Sequence, residues 1–306
     1  MTGIPRTALL PCLALVALAG CGGRSQQGGG TTTQPSETRA VFGYDAAKPL
    51  GYADHGIVLR RGAVSVHDVS FESSGQRIDG YLVLGTGGRR RPGLVLVHGS
   101  GADRSELLGA AVALAMRGFV ALTITEPSSG HPPPAPRTNR QLVLETRAVT
   151  RKDVIAVRRA ADVLATLPTV DPRRLGYLGW SAGAKTGAFV AAADSRFKSL
   201  VLLSAGADQL TAFVDAAPKP LRALVHRVLG SVDPIHYLAL ARPGSVLMED
   251  GRKDEVVPRS ALLNMIHAAP PGTVVRWYPA GHSLSLAAYR DAFVWLGKRL
   301  GAGSSP

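Results

Sequence analysis

Thiols are nearly missing from this chain: two cysteines in 306 residues, Cys12 and Cys21. Beyond Cys21 the sequence therefore excludes a disulfide, a cysteine-ligated metal and a thiolate nucleophile. A domain built there is held by its apolar core, for which the remaining length is ample. Acidic residues are also few, 22 Asp and Glu against 35 Lys and Arg, a formal net charge of +13. The basic residues are dispersed, with short clusters at Arg89-Arg90-Arg91, Arg158-Arg159 and Arg173-Arg174. Aromatic residues are 6% of the chain and are not interleaved with the basic ones. No nucleic-acid-binding motif occurs, so the charge reads as a solvated basic surface open to anionic lipid heads and not as a nucleic-acid site. The apolar run from Ala8 to Ala19 is too short to span a bilayer comfortably, and no internal repeat is present.

What is there begins with Arg6 ahead of that apolar run and small residues behind it, the pattern of a secretory signal. Its end, Leu18-Ala19-Gly20-Cys21, resembles the lipobox of bacterial lipoproteins. The resemblance implies cleavage before Cys21, diacylglycerol on its thiol, and an extracytoplasmic protein held to the cell membrane by its lipid. Residues 22 to 40, GGRSQQGGGTTTQPSETRA, have almost nothing to bury. About 19 such residues span roughly 25 Å on average. The expected organisation is a signal over 1–20, a lipid-anchored flexible tether over 21–60, and one folded domain over 61–301.

Within that domain, alternating runs at Val64–Phe71 and Arg77–Leu84 predict a hairpin. Short Val/Leu-rich runs then alternate with helical patterns. Strands are expected at Leu94–Val97, Phe119–Thr125, Leu175–Trp180, Leu200–Ser204, Ser245–Glu249 and Thr273–Tyr278. Helices are expected at Glu106–Arg117, Asn139–Leu167, Ala182–Ala193, Arg259–Ala268 and Leu284–Leu300. This alternation predicts an α/β fold, a doubly wound and mostly parallel sheet of about eight strands with helices on both faces. Ligands in such sheets sit beyond the carboxyl ends of the strands.

One post-strand stretch, LGWSAGAKTG at 178 to 187, carries two chemistries at once. Gly179-Trp180-Ser181-Ala182-Gly183 fits G-x-S-x-G, the turn that presents a nucleophilic serine. Gly179 through Thr186 misses the phosphate-loop pattern by one residue, since Ala184 stands where backbone must approach phosphate. No strand-borne acid for magnesium accompanies it, so the phosphate loop is set aside. With 35 glycines in the chain, chance alone gives roughly 0.3 matches to G-x-S-x-G, and the strand before and helix after Ser181 supply the needed context.

A serine hydroxyl needs a base, and the base an orienting acid. Three histidines follow Ser181 far enough along the chain, His236, His267 and His282. His282 occupies the loop after the last strand, where a base reaches over the sheet edge; His267 falls on a helix and His236 is marginal. The acid should follow the strand Ser245–Glu249. Asp254, on a turn after Gly251 and before Val256-Val257-Pro258, is the first choice; Asp250 is next, and Glu249 and Glu255 fit less well. Oxyanion donors are expected from the Ala182 N–H and from Ser100 in the glycine-rich turn after Leu94–Val97. His98, which precedes the serine, is expected to brace that turn. Residues 207 to 240 form an insertion whose helical face Leu221, Leu224, Val225, Val228 and Leu229 fits a cap over the serine or a helix packed permanently on the domain.

HGSGADR at 98 to 104, GWSAG at 179 to 183, GRKDEVVP at 251 to 258 and GH at 281 and 282 together resemble the α/β-hydrolase fold family. Within it the likeness is to dienelactone-hydrolase-like and acyl-peptidase-like serine hydrolases, over roughly residues 64 to 299. True dienelactone hydrolases use cysteine where this chain has Ser181, and the propeller domain of the acyl-peptidase group is missing. The resemblance implies a serine hydrolase of carboxyl esters, with Ser181 as nucleophile, His282 as base and Asp254 as orienting acid. It implies no metal or organic cofactor and a small-molecule ester as substrate, and leaves the oligomeric state open. The alternatives are a non-catalytic lipoprotein of the same fold that binds a ligand or partner, and an acyltransferase or peptidase using the same three residues.

Overall fold

The computed structural model describes residues 40–85, 90–129 and 138–302. The signal segment, Cys21 and Arg89 lie outside the described residues. The strands are β1 Ala53–Arg61, β2 Val64–Ser73, β3 Gln76–Leu84, β4 Arg91–Val97, β5 Val120–Ile124, β6 Val170–Trp180, β7 Phe197–Leu203, β8 Val246–Gly251 and β9 Val274–Tyr278. They form one nine-stranded sheet in the order β1-β2-β3-β5-β4-β6-β7-β8-β9. β1, β2 and β3 pair antiparallel, β3 pairs antiparallel with β5, and from β5 to β9 every neighbour is parallel.

The helices are α1 Leu108–Ala115, α2 Asn139–Thr166, α3 Ala182–Ala193, α4 Leu210–Ala216, α5 Arg222–Gly230, α6 Pro234–Ala239, α7 Arg259–Ala268 and α8 Leu286–Leu300. The β4 run Leu94-Val95-Leu96-Val97 is buried throughout because both faces of a parallel sheet are covered. Alternation still divides it: Val95 and Val97 join the core layer shared with α2 and α3, while Leu94 and Leu96 join the layer shared with α1 and α8. β7 divides the same way, Leu200 and Leu202 to one layer, Val201 and Leu203 to the other. Helix α2 starts where Thr138 accepts the Gln141 N–H while the Gln141 side chain accepts the Thr138 N–H, a reciprocal cap.

The expected strands and helices are present with boundaries shifted by a few residues. The tether is corrected: it does not reach residue 60. Phe42 is fully buried, its ring 5.5 Å from Phe189 and 5.1 Å from Tyr237. Tyr44 donates to Asp162 at 2.9 Å, and Arg159 donates to the carbonyls of Lys48 and Pro49. Residues 53–61 then add the ninth strand. Only Ala53 of β1 is even partly buried, so the strand has no in-and-out alternation from which to recognise it.

The insertion over 207–240 folds as α4, α5 and α6. Its apolar face lies on the flank of the domain: α5, with Val225 and Val228 buried, packs against α2, and α6, with Tyr237 and Leu238 buried, packs against α3.

Candidate active site

Ser181 stands between the last residue of β6 and the first of α3, with φ 55° and ψ −112°. A non-glycine residue at positive φ costs about 1–3 kcal/mol and persists only where its surroundings fix it. Here they do. The Ser181 N–H donates to the Leu203 carbonyl at 2.8 Å, and the Lys185 N–H donates to the Ser181 carbonyl at 3.1 Å. The flanking glycines make the turn possible. A Cβ on Gly179 would sit 2.5 Å from the Gly183 carbonyl, and one on Gly183 would collide with the Val97 carbonyl oxygen.

Ser181 Oγ lies 2.9 Å from His282 Nε2, and His282 Nδ1 lies 2.9 Å from Asp254 Oδ2. The three residues, far apart in the chain, form one hydrogen-bonded line. The Asp254 side chain is 1% exposed and that of His282 12%. The other oxygen of Asp254 accepts the N–H groups of Val256 and Val257, each at 2.9 Å, so the carboxylate is held from both sides. Lys253 donates its N–H to the Ala280 carbonyl and Arg252 to that of Tyr278, which joins the Asp254 turn to the loop carrying His282.

The other candidates lie elsewhere. His267 is exposed in the last turn of α7, and His236 is part-buried on α6. Asp250 is fully buried at the end of β8; desolvation first, then the charge of Asp254, push its carboxyl up to about 7. The Ala205 N–H and Arg259 draw it down, the former without completing a hydrogen bond. Glu249, also fully buried, is raised to about 8, mainly by desolvation, and accepts the Tyr278 hydroxyl at 2.9 Å. Glu255 is exposed.

The turn after β4 is sewn to the serine turn by the Gly183 N–H, which donates to the His98 carbonyl at 3.0 Å. His98 is buried. Its Nε2 accepts the Glu126 N–H at 3.1 Å and its Nδ1 donates to the Gly99 carbonyl at 2.7 Å, so it is neutral and braces the turn. Burial lowers its pKa, against smaller raising effects from Gly99 and Glu106. The Gly99 N–H is taken by Glu106 Oε2 at 2.7 Å, and Ser100 lies exposed in the next position. Ala182 opens α3, where an N–H has no partner within the helix.

Three residues of the site were not anticipated. Trp180 Nε1 and Ser204 Oγ both donate to the His282 carbonyl, at 3.1 and 2.9 Å, and Glu106 holds the β4 turn. The Trp180 ring also packs on the His282 ring, centroids 5.1 Å apart. Ser204 follows the end of β7 with φ 53°. Its position beyond a strand's carboxyl end is the one signal that could have flagged it.

A nine-stranded sheet of this order, with a strained serine after a central strand, is the α/β-hydrolase fold. Solved structures agree. The acetyl xylan esterase from Paenibacillus sp. R4 superposes with a TM-score of 0.70 at 19% identity, over 87% of this chain and 93% of that one. Acetyl xylan esterase 1 from Thermoanaerobacterium sp. JW/SL YS485 gives 0.68 at 16% identity, over 86% and 92%. The glucuronoyl esterase from Solibacter usitatus gives 0.61 at 14% identity, over 88% and 92%. No protein-family model and no curated protein sequence matches the chain.

Proposed function

We propose that this protein is a serine hydrolase of small carboxyl esters, exported and held to the cell membrane by lipid on Cys21. The observation that carries the reading is the hydrogen-bonded line from Ser181 through His282 to Asp254, with Ser181 on a strained turn. In this reading Ser181 Oγ attacks the ester carbonyl as His282 Nε2 takes its proton. Asp254 holds the imidazole by Nδ1–H and stabilises the imidazolium. The N–H groups of Ala182 and Ser100 receive the oxyanion, each donor contributing two to three powers of ten in rate. The imidazolium then protonates the departing alcohol, and water activated by His282 releases the acyl group from Ser181. The names of the structural neighbours, esterases of xylan acetyl groups and glucuronoyl units, support ester over amide bonds. Transfer of the acyl group to an alcohol instead of water would use the same residues.

The test uses the chain from Gly22 onward, which keeps every buried residue from Phe42 to Leu300. A fluorophosphonate probe labels it, and labelling vanishes in Ser181→Ala and His282→Ala, with kcat/KM on p-nitrophenyl esters down by about four powers of ten or more. A folded chain that stays unlabelled and inert across an ester panel would leave a binding role instead. In the full chain, fatty-acid labelling lost in Cys21→Ser tests the anchor separately.

A further inference from the structure

The basic residues, dispersed in the sequence, are collected by the topology at one end of the sheet. Because β4 to β9 run parallel, their first residues share the edge opposite Ser181, together with the last turns of the helices that lead into them. Arg90 precedes β4 and Arg117 precedes β5. Lys298 and Arg299 close α8. Arg60 and Arg61 stand beside the β1–β2 turn at the same edge, since the start of β2 pairs with the end of β3, which pairs with the start of β5. All six are exposed. Arg174 joins parts of this end directly, donating to the Arg90 carbonyl at 2.7 Å and to the Leu300 carbonyl at 3.3 Å. Among the described residues the acids at this end are already engaged: Asp171 pairs with Arg173 and Arg174, Asp194 with Arg158 and Arg196, and Asp162 with Arg159 and Arg196.

Apolar side chains stand exposed beside these cations. Ile57, Val58 and Leu59 immediately precede Arg60, and Met116 precedes Arg117. Among the described residues these cations have no acidic partner, although Arg117 and Arg299 lie over the Phe293 and Trp295 rings. Large apolar side chains held in water beside such cations suit a bilayer with anionic headgroups.

We propose that this end of the molecule docks on an anionic lipid bilayer. Arg60, Arg61 and Lys298 meet the headgroup phosphates, Ile57 to Leu59 enter the interface, and Ser181 faces away from the membrane. Charge complementarity is one support; the other rests on the lipid proposed at Cys21, since a flexible chain of about 19 residues averages roughly 25 Å, long enough for a domain anchored there to settle on the surface. The proposal goes beyond the hydrolase reading and does not rest on it.

The chain from Gly22 onward carries no lipid and no cysteine, so it tests the surface alone. It should co-sediment with vesicles of phosphatidylglycerol and phosphatidylcholine at low salt, release as salt is raised, and ignore pure phosphatidylcholine. The variant Arg60→Ser/Arg61→Ser/Lys298→Ser should bind roughly a hundredfold more weakly, about fivefold per cation. Lys219→Ser/Arg222→Ser/Arg227→Ser, which removes the same charge from the insertion, should change binding by less than fivefold in all. An environment-sensitive dye on Leu59→Cys should shift to the blue on vesicles, and one on Leu286→Cys should not. Thermal melts confirm that each variant is folded. Equal weakening in both triple variants, equal binding to neutral vesicles, or a dye response at residue 286 instead of 59 would each overturn the proposal. Tighter binding to a DNA duplex than to the vesicles at the same salt would give the surface to nucleic acid instead. Ser181→Ala should bind vesicles as the parent does, so loss of hydrolysis and loss of docking are read separately.

Discussion

The carbonyl oxygen of His282 accepts from both Trp180 and Ser204, which fixes the backbone of the proposed base from the serine turn and from the neighbouring strand. A base whose ring moves by an ångström loses its line to Ser181 Oγ, and misplacement of that size costs up to two powers of ten. Ser204→Ala and Trp180→Phe should each lower kcat about tenfold with KM changed less than threefold, as steady-state kinetics on one short-chain ester would read. A fall in kcat/KM carried by KM would assign both residues to substrate contact instead. Ser181 and His282 were legible in the sequence because motif, strand order and chain order all converge on them. Asp254 was separable from Asp250 only through its turn. Trp180 and Ser204 act through a backbone oxygen 102 and 78 residues away, and no local pattern encodes such a bond.

Among the elements, the N-terminal segment departs most from its sequence. The stretch VFGYDAAKPLGY has neither helical nor strand periodicity, so its polar and glycine content reads as tether. Its structure comes from three distant anchors instead: Phe42 between Phe189 and Tyr237, Tyr44 on Asp162, and Arg159 on the carbonyls of Lys48 and Pro49. Removing the Phe42 ring leaves a cavity in a closed aromatic cluster. Phe42→Ala should cost about 3–5 kcal/mol in chemical denaturation. A loss below 1 kcal/mol would mean that the segment is dispensable padding. The central strands and helices were readable because short buried runs alternate with 3.6-residue patterns. The insertion was readable as helices, while the surface that its apolar face meets was not, since α2 and α3 are defined only once the chain has folded.

For the molecule as a whole, four buried carboxyls share one direction of shift. Glu249 is raised to about 8, Asp250 and Asp153 to about 7, and Glu126 well above its usual range, each mainly by desolvation. The unfolded chain ionises such groups near pH 4, whereas the folded chain keeps Asp153 and Asp250 protonated to about 7 and Glu249 to about 8. Their contribution to stability is therefore complete below pH 4 and is lost as the pH rises through 7 and 8. Melting should come at a lower temperature at pH 8.5 than at pH 5.5. In Asp250→Asn the free energy of unfolding should fall less over that interval, by about 2 kcal/mol at the most. Parallel pH profiles for the variant and its parent would refute the assignment to Asp250.

The anchoring of Tyr44 also sets the order in which the molecule can be finished. Asp162, the acceptor of its hydroxyl, is itself held by Arg196 at 2.6 Å, and Phe42 waits for Phe189 and Tyr237. Synthesis delivers the N-terminal segment first, yet the groups that receive it arrive more than a hundred residues later. A nascent chain interrupted near residue 150 holds this segment without a seat and should be cut there by added protease, while one extended past β8 should resist. Completion is thus late by construction, and the first part of the folded domain to be made is among the last to be secured.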